Sequence, residues 1–156
     1  MTSEPVTPRL DRLCRATVEI GAPLVVGDTP LGLRRIVPIT GGRVEGPRLS
    51  AEILPGGADW QLARADGGVV LEARYTLRTT DGALVYVRNV GLRCGPPAVL
   101  ARLGRGESVD PASYYFRTTP RFETAAPAYA WLNDLIAVAS AVRRADAVIL
   151  DFYAVA

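Results

Sequence analysis

The sequence predicts an all-β fold, an antiparallel barrel or sandwich with one or two short helices. Two observations carry this prediction. Apolar and polar residues alternate with a period of two along most of the chain, which is typical of strands with one buried face. Turn signals rich in glycine and aspartate separate these runs, at Gly41-Gly42, Pro55-Gly56-Gly57, Asp66-Gly67-Gly68, Asp81-Gly82 and Ala145-Asp146. Many short strands joined by frequent turns are typical of antiparallel barrels and sandwiches.

The predicted strands follow one another along the whole chain. The first runs from Cys14 to Ile20, where the even-numbered residues are apolar and the odd-numbered ones are polar. Further strands are predicted over residues 35–40, 49–54, 60–65, 69–79, 83–93, 114–119, 135–142 and 147–154. Residues 97–103 fit a short helix because proline opens the segment and Gly104 can end it, and one more helical turn is predicted over 127–133. No repeat or linker interrupts the series, so we expect one domain over 1–156, with 1–11 as a loose lead-in.

The composition excludes several kinds of chemistry. The chain has 156 residues and contains neither histidine nor lysine, so all 18 basic residues are arginine. A Ser-His-Asp nucleophile, a histidine-ligated metal and a lysine Schiff base are therefore excluded. Proton transfer has to use Asp, Glu, Tyr, Cys or water. The net charge of +2 is too small to favour nucleic-acid binding, and we expect a small organic molecule as the partner and no cofactor or metal.

The cysteines and the apolar runs of the sequence indicate where in the cell the protein is located. Cys14 and Cys94 are too few for a disulfide scaffold and do not have metal-ligand spacing. The longest apolar run, residues 135–142, is much too short to span a membrane. The opening segment does not resemble a signal peptide, so we expect a reduced, soluble, cytoplasmic protein without a membrane partner. Exposed strand edges make a homodimer a possible assembly.

The strongest local signal is Asp81-Gly82 between two long alternating runs, which is typical of a two-residue type I′ hairpin. With that loop, Tyr75 pairs with Arg88. The face that carries Tyr75 then also carries Tyr86 and Arg88, and Arg88 is its one charged residue. An arginine on an apolar face needs an acceptor, because burying an unpaired charge is costly. Arg88 could bind a carboxylate or enolate oxygen of a ligand, with Tyr75 and Tyr86 as hydroxyl donors. Alternatively, it could pair with Glu52 or Glu123, or emerge at the rim.

A second candidate is Asp59, which lies between a glycine-rich turn and Trp60. In apolar surroundings its pKa would rise and it could act as a general base, with the Trp60 indole against the substrate. The alternative is that Asp59 only stabilises the turn through its own backbone. In the same way, Thr40 before Gly41-Gly42 could lie beside a ligand at a strand end, or this segment could simply turn a barrel corner.

A third candidate is the segment from Tyr114 to Asn133, which is dense in aromatic and charged residues. It could form a wall of a small-molecule pocket, with Glu123 as acid or base and Arg117 as its partner. The remaining substrate-binding candidates in this segment are Tyr115, Trp131 and Asn133. The alternative is that these rings are packed core that closes the barrel.

Four stretches together resemble a known family: Ile39 to Gly42, Pro55 to Gln61, Ala73 to Asn89 and Tyr114 to Asn133. The family is domain of unknown function 3237, also called UPF0311, and the likeness extends from about Thr17 to Tyr153. It implies a small barrel akin to lipocalins and streptavidin. This chain departs from the family pattern with Val90 in place of a basic residue, Cys94 in place of a histidine and no glycine in 135–141, which indicates a diverged member.

Together these features favour a cofactor-independent enzyme of bacterial specialised metabolism. The expected reaction is an isomerisation, cyclisation, hydration or elimination beside a carbonyl, in an apolar cage that holds a reactive conformer. Arg88 with Tyr75 or Tyr86 would stabilise an oxyanion, and Asp59 or Glu123 would move the proton. The first alternative is a barrel that binds or carries an apolar metabolite without catalysis. The second is an interaction domain whose interior is filled by its own side chains.

Overall fold

The computed structural model describes residues 3–156 and is built mainly of strands. Helix α1 (Pro97–Gly104) follows the seventh strand, and two short 3-10 helices cover Pro111–Ser113 and Pro127–Asp134. The strands are β1 (Leu10–Ile20), β2 (Leu24–Thr29), β3 (Gly32–Glu45), β4 (Ala51–Ile53), β5 (Gly57–Ala63), β6 (Val69–Thr79), β7 (Leu84–Cys94), β8 (Tyr115–Glu123), β9 (Ile136–Arg143) and β10 (Ala147–Val155).

These strands close into an antiparallel barrel, which confirms the predicted fold class. Neighbours follow the order β1-β10-β9-β8-β7-β6, and β6 reaches β3 through β4 and β5. Strand β3 then pairs with β1 and closes the ring. Because β4 and β5 share one position between β3 and β6, the barrel has eight strand positions. The ring itself therefore has no open edge strand, whereas β2 lies outside the ring and pairs with β3 alone.

Most predicted strands are found with boundaries shifted by a few residues, but β2 was not predicted. Its residues Leu24, Val25 and Val26 are consecutive apolar residues without alternation, so the period-two test does not detect them. Strand β2 pairs only with the first part of β3 and lies at an edge. Its three apolar side chains are about 60% exposed, which explains why no buried face is visible in the sequence.

The two ends of the barrel differ in their contents. The end where β1 begins, which we call the closed end, is filled by apolar side chains such as Leu77, Val85 and Phe152, each at most 1% exposed. Leu132 of the second 3-10 helix is equally buried in this core. Each such side chain contributes about 1.5–3 kcal/mol by leaving water. The opposite end, which we call the open end, lies where β1 and β7 finish, and helix α1 contacts it through the buried Leu103.

The β6–β7 hairpin has a three-residue loop, so the predicted two-residue loop is wrong. Arg74 pairs with Arg88, and the N–H of Thr79 donates to the carbonyl of Ala83 at 2.8 Å. The loop is therefore residues 80–82, and Gly82 has φ +87°, the left-handed geometry that glycine supplies in such loops. One extra loop residue shifts the register and turns every side chain of β7 to the face opposite the predicted one.

Arg9 and the last residue, Ala156, pair with each other at the closed end. The N–H of Arg9 donates to the carbonyl of Ala156 at 2.8 Å, and β1 begins at Leu10, so the predicted lead-in is shorter than expected. The first two residues of that lead-in, Met1 and Thr2, lie outside the described residues.

Within residues 3–156, no helix is long and apolar enough to cross a membrane. The homodimer stays a prediction.

Candidate active site

A chain of hydrogen bonds runs along the inner wall at the open end. Residues 59 and 61 both point inward from β5, because alternate residues of a strand face the same side. Nη2 of Arg35, from β3, donates to Oε1 of Gln61 at 3.1 Å, and Nε2 of Gln61 donates to Oδ2 of Asp59 at 2.9 Å. The backbone N–H of Glu72 donates to Oδ1 of Asp59 at 3.0 Å. Both carboxyl oxygens of Asp59 are therefore held by neutral donors.

Burial dominates the chemistry of Asp59, which is 9% exposed. Desolvation disfavours the carboxylate and raises the pKa of Asp59. The hydrogen bonds from Gln61 and from the backbone of Glu72, and the positive charges of Arg93 and Arg35, lower the pKa but do not cancel this effect. Among the described residues, no arginine lies within the 4.0 Å of an ion pair with this carboxyl group. Asp59 is thus a buried acid poised to hold or release a proton.

Two more arginines face the same space. Arg93 points inward from β7 and is 7% exposed, and its guanidinium lies 5.3 Å from the ring centroid of Phe116. Burial, followed by the positive charge of Arg143, lowers the pKa of Arg93 to about 10. Arg143, at the end of β9, also has a pKa lowered by burial and then by the charge of Arg35. Three guanidinium groups therefore share one end of the barrel with a single buried carboxyl group.

The interior offers polar atoms to a ligand. Five buried side-chain atoms have no hydrogen-bond partner among the described residues: Arg35 Nε, Tyr75 Oη, Asn89 Oδ1, Arg93 Nη1 and Thr118 Oγ1. Unpaired buried polar groups are uncommon in folded proteins and call for an explanation. An inner cavity of about 50 Å³ is lined by Asp59, Tyr75, Asn89 and Thr118 among apolar residues. A vestibule of about 340 Å³ lies between it and helix α1, and Gln61 and Arg143 line both spaces.

Asp59 and Tyr75 are the two predicted catalytic residues that the structure places in the barrel interior. The alternative reading of Asp59 as a turn stabiliser is wrong, because its side chain bonds to Gln61 and to the backbone of Glu72. Tyr75 is 4% exposed and lines the inner cavity, and its hydroxyl oxygen is buried without a hydrogen-bond partner among the described residues. Burial raises the pKa of Tyr75, so it stays protonated and can only donate or accept a hydrogen bond.

The predicted interior position of Arg88 and Tyr86 is wrong, because the three-residue loop turns both outward. Arg88 is about half exposed, and its Nη2 lies 3.0 Å from Oε1 of Glu72 on the barrel surface. This pairing also differs from the predicted internal partners, Glu52 and Glu123. Tyr86 is 38% exposed. Neither residue faces the inner cavity, so the oxyanion role predicted for them has no support in the structure.

The predicted pocket wall on β8 also faces outward. Tyr115, Arg117 and Glu123 occupy the exposed positions of a strand in which exposed and buried residues alternate strictly. The guanidinium of Arg117 lies 5.4 Å from the ring centroid of Tyr115, so these two side chains contact each other on the outside. The inward residues of this strand are the intervening ones, among them Phe116 and Thr118. The placement predicted for the three exposed residues is therefore wrong.

The remaining predicted substrate-binding residues lie away from the inner cavity. Thr40 is exposed at the irregularity between β1 and β3, and Trp60 is 37% exposed on the outer face of β5. Trp131 packs against the core from the second 3-10 helix, with the guanidinium of Arg48 3.8 Å from its ring centroid. Asn133 accepts from the N–H and donates to the carbonyl of Thr124, which makes it a loop stabiliser.

Six residues that line the open end were not identified from the sequence as site residues: Arg35, Gln61, Asn89, Arg93, Thr118 and Arg143. The alternation rule could have found Gln61, since it shares a face with Asp59 two residues away. Asn89 and Arg93 depend on the hairpin loop, because a three-residue count turns both inward. Arg143 ends an apolar strand, and no local pattern distinguishes it from a surface arginine.

No metal centre is formed within residues 3–156, where no group of three His, Cys, Asp or Glu side chains comes together. Both cysteines are free. Cys14 lies in the packed core, and burial raises the pKa of its thiol to about 12, so it is a poor nucleophile at neutral pH.

The fold and the site define a class of protein, a closed antiparallel β-barrel with a buried acid and three arginines at its open end. The family model described as "Protein of unknown function (DUF3237)" matches residues 8–155, and the chain belongs to this family. The UPF0311 protein RPA1785 of Rhodopseudomonas palustris is 47% identical over 152 residues, which cover 96% of this chain and 99% of that protein.

Solved structures agree with the barrel. The crystal structure of RPA1785 has a TM-score of 0.94 at 46% identity and covers 97% of this chain and 100% of that one. A β-barrel like protein from Acinetobacter baumannii has a TM-score of 0.88 at 42% identity, over 99% of this chain and 100% of that one.

A more distant likeness links the chain to an enzyme. The hydroalkoxylation enzyme phnH of Penicillium herquei is 28% identical over 85 residues, which cover 54% of this chain and 56% of that protein. The crystal structure of an enzyme from the same organism covers both chains completely, with a TM-score of 0.74 at 21% identity. At that identity, the structural likeness concerns the fold alone.

Proposed function

We propose that this protein is a cofactor-independent enzyme of small-molecule metabolism and that the open end of the barrel is its active site. The observation that carries the proposal is Asp59, a buried carboxyl group held by neutral donors and facing arginines with which it makes no ion pair. Because burial raises the pKa of Asp59, its protonated form persists closer to neutral pH than for an exposed aspartate. An acid in that condition can both give and take a proton during a reaction.

The proposed reaction is the addition of a hydroxyl group across a carbon–carbon double bond, or the reverse elimination. The partial sequence likeness to a hydroalkoxylation enzyme supports this choice. In the addition, protonated Asp59 gives its proton to one carbon of the double bond. The hydroxyl oxygen forms a bond with the other carbon, and the hydroxyl proton passes to the Asp59 carboxylate. The carboxyl group ends as it began, and no other reactant is consumed.

The arginines would supply the electrostatic part of catalysis. A hydroxyl group becomes a better nucleophile as negative charge develops on its oxygen. The Nη1 group of Arg93 is buried and has no partner within residues 3–156. A fixed positive charge in the interior stabilises an oxyanion more strongly than it would in water. The apolar walls of the inner cavity, such as Leu71 and Leu150, would hold the alkene close to its own hydroxyl group.

The alternative function is a barrel that binds or carries a small metabolite without converting it. The inner cavity of about 50 Å³ favours this alternative, because it admits only a few atoms and leaves most of a ligand in the vestibule. Carriage requires no proton donor, so the two functions differ in what they demand of Asp59.

The test is turnover of a panel of small phenols and alcohols that carry an alkenyl side chain, with products separated by chromatography. Asp59→Asn is expected to lower the rate by about 10²–10⁴-fold, the usual contribution of general acid–base catalysis. Arg88→Gln is the matched control, because Arg88 lies on the outer surface. Full activity of the Asp59→Asn variant would contradict the proposed mechanism. Binding of panel members without any product would favour the carrier.

A further inference from the structure

We propose that Arg93, Arg35 and Arg143 form an anion-binding subsite in the vestibule and that it takes the carboxylate of a small organic acid. This inference rests on the proposed function in one respect, namely that the organic acid is the substrate of the reaction at Asp59. The binding itself depends only on the three arginines. It is therefore tested separately from turnover.

The first argument is the unmet hydrogen-bonding capacity of Arg93. This residue is only 7% exposed, and its Nη1 group has no partner among the described residues. The ring of Phe116 covers it at 5.3 Å and supplies no acceptor oxygen. Arg35 is in a similar condition, because Gln61 occupies its Nη2 group while its buried Nε has no partner. Guanidinium groups offer several donors in one plane, a geometry that matches the two oxygens of a carboxylate.

The second argument is the imbalance of charge. Within residues 3–156, none of the three arginines makes an ion pair with an acid. Asp59 is the one carboxyl group in the inner cavity, and its oxygens are already occupied by neutral donors. The positive charges of Arg143 and Arg35 act against the charge of Arg93, in addition to its burial. An anion placed among them would relieve this repulsion, whereas a neutral ligand would not.

The third argument concerns Arg143, which is less buried than Arg93. Its Nη1 group donates to the backbone carbonyls of Arg144 and Ala145, so the guanidinium is held at the mouth. The charge of Asp146 also reaches it from the same turn. Arg143 lines both the vestibule and the inner cavity. A ligand whose carboxylate binds Arg143 in the vestibule could therefore extend the rest of its structure into the inner cavity beside Asp59.

The volume and lining of the vestibule limit the size and polarity of the part of the ligand beyond its carboxylate. Its volume of about 340 Å³ lies at the lower end of the usual range for small-molecule sites. Apolar side chains share the lining with the arginines, among them Val37, Val69 and Leu100. The site therefore suits a molecule with a carboxylate at one end and an apolar or aromatic body of modest size.

The experiment compares trans-cinnamate with its neutral amide, cinnamamide, as probes of nearly equal shape. Calorimetric titration of the full chain is expected to give about tenfold or greater preference for cinnamate. Arg93→Gln should lower the affinity for cinnamate about tenfold or more and leave the affinity for cinnamamide unchanged. Arg88→Gln is the surface control and should change neither.

Several outcomes would overturn the subsite. Equal affinities for the two probes, an unchanged affinity in Arg93→Gln, or no binding of cinnamate at millimolar concentration would each do so. If Arg93→Gln does not fold, Arg143→Gln provides the same comparison at a less buried position. Asp59→Asn separates the two proposals, because it should lower the turnover rate by about 10²–10⁴-fold and still bind cinnamate. If the protein turned over neutral alcohols as fast as alcohols that also carry a carboxylate, the proposed enzymatic function would stand and the proposed subsite would be rejected.

Discussion

Replacing Asp59 by asparagine measures how strongly burial controls this carboxyl group. Oδ1 of Asp59 accepts from the N–H of Glu72 at 3.0 Å, and Oδ2 accepts from Nε2 of Gln61 at 2.9 Å. Asparagine keeps one acceptor and turns an NH₂ group toward the donor of Gln61. Gln61 cannot reverse its amide without loss, because its oxygen accepts from Arg35. One buried hydrogen bond is therefore lost, at a cost of about 1–3 kcal/mol.

The pH dependence of this cost has a definite sign. Because burial raises the pKa of Asp59, the folded protein keeps this proton at pH values where the unfolded chain, with a pKa of about 3.9, has released it. The contribution of the group to stability is therefore complete below the unfolded pKa. It is lost as the pH rises through the folded pKa. Asparagine does not titrate, so the wild-type protein should be the more stable in acid, by about 1–3 kcal/mol, and lose this advantage toward neutrality.

The assay is urea unfolding of both proteins, followed by tryptophan fluorescence at several pH values between about 4 and about 8. The difference between the two free energies of unfolding isolates Asp59, because the other titrating groups are shared. A difference that stays constant with pH would refute the reasoning. A wild-type advantage that grows toward neutral pH would do so more strongly, since the arginines and hydrogen bonds would then outweigh burial.

Two further predictions concern the packing of β7 and the corrected role of its surface arginine. Gly91→Ala places a Cβ atom well inside van der Waals contact of the Arg117 carbonyl oxygen, and it should lower the free energy of unfolding in urea by about 1–3 kcal/mol or more. Gly104→Ala, where a Cβ meets nothing within 4 Å, is the control and should change stability by less; equal effects would contradict the close approach. Arg88→Gln removes only the surface pair with Glu72, so unfolding should change by less than about 1 kcal/mol, and loss of turnover would return Arg88 to the site.

The fold was accessible from the sequence because alternation and turn residues agree along nearly every strand. Strand β6 was predicted with its observed bounds, Val69–Thr79, and the face predicted to be apolar, with Leu71, Tyr75 and Leu77, is the buried one. The face of β7 was inverted, because Asp81-Gly82 is compatible with loops of two or three residues and the choice reverses every side chain beyond it. Asp59 was found because it lies between a glycine-rich turn and the bulky indole of Trp60. Arg93 was missed because its burial depends on that loop.

The site could be predicted only in part, for a physical reason. Its polar residues come from β3, β5, β6, β7, β8 and β9, and no pair of them is closer in sequence than two positions. Local patterns predict which residues share a face, whereas the meeting of Arg35, Asp59, Arg93 and Arg143 depends on the closure of the whole barrel. The order and register of the strands decide which of these side chains meet, and the residue pattern of a single strand does not predict either.

The contrast between the two ends of the barrel bears on how this family can change. The first half of strand β7 supplies Val85 and Val87 to the packed core. The second half supplies Asn89 to the inner cavity and Arg93 to the vestibule. Folding and ligand preference thus draw on separate stretches of the same strands. Residues in the second stretch could therefore be substituted, which would change the preferred ligand, while the residues of the first stretch keep the barrel folded.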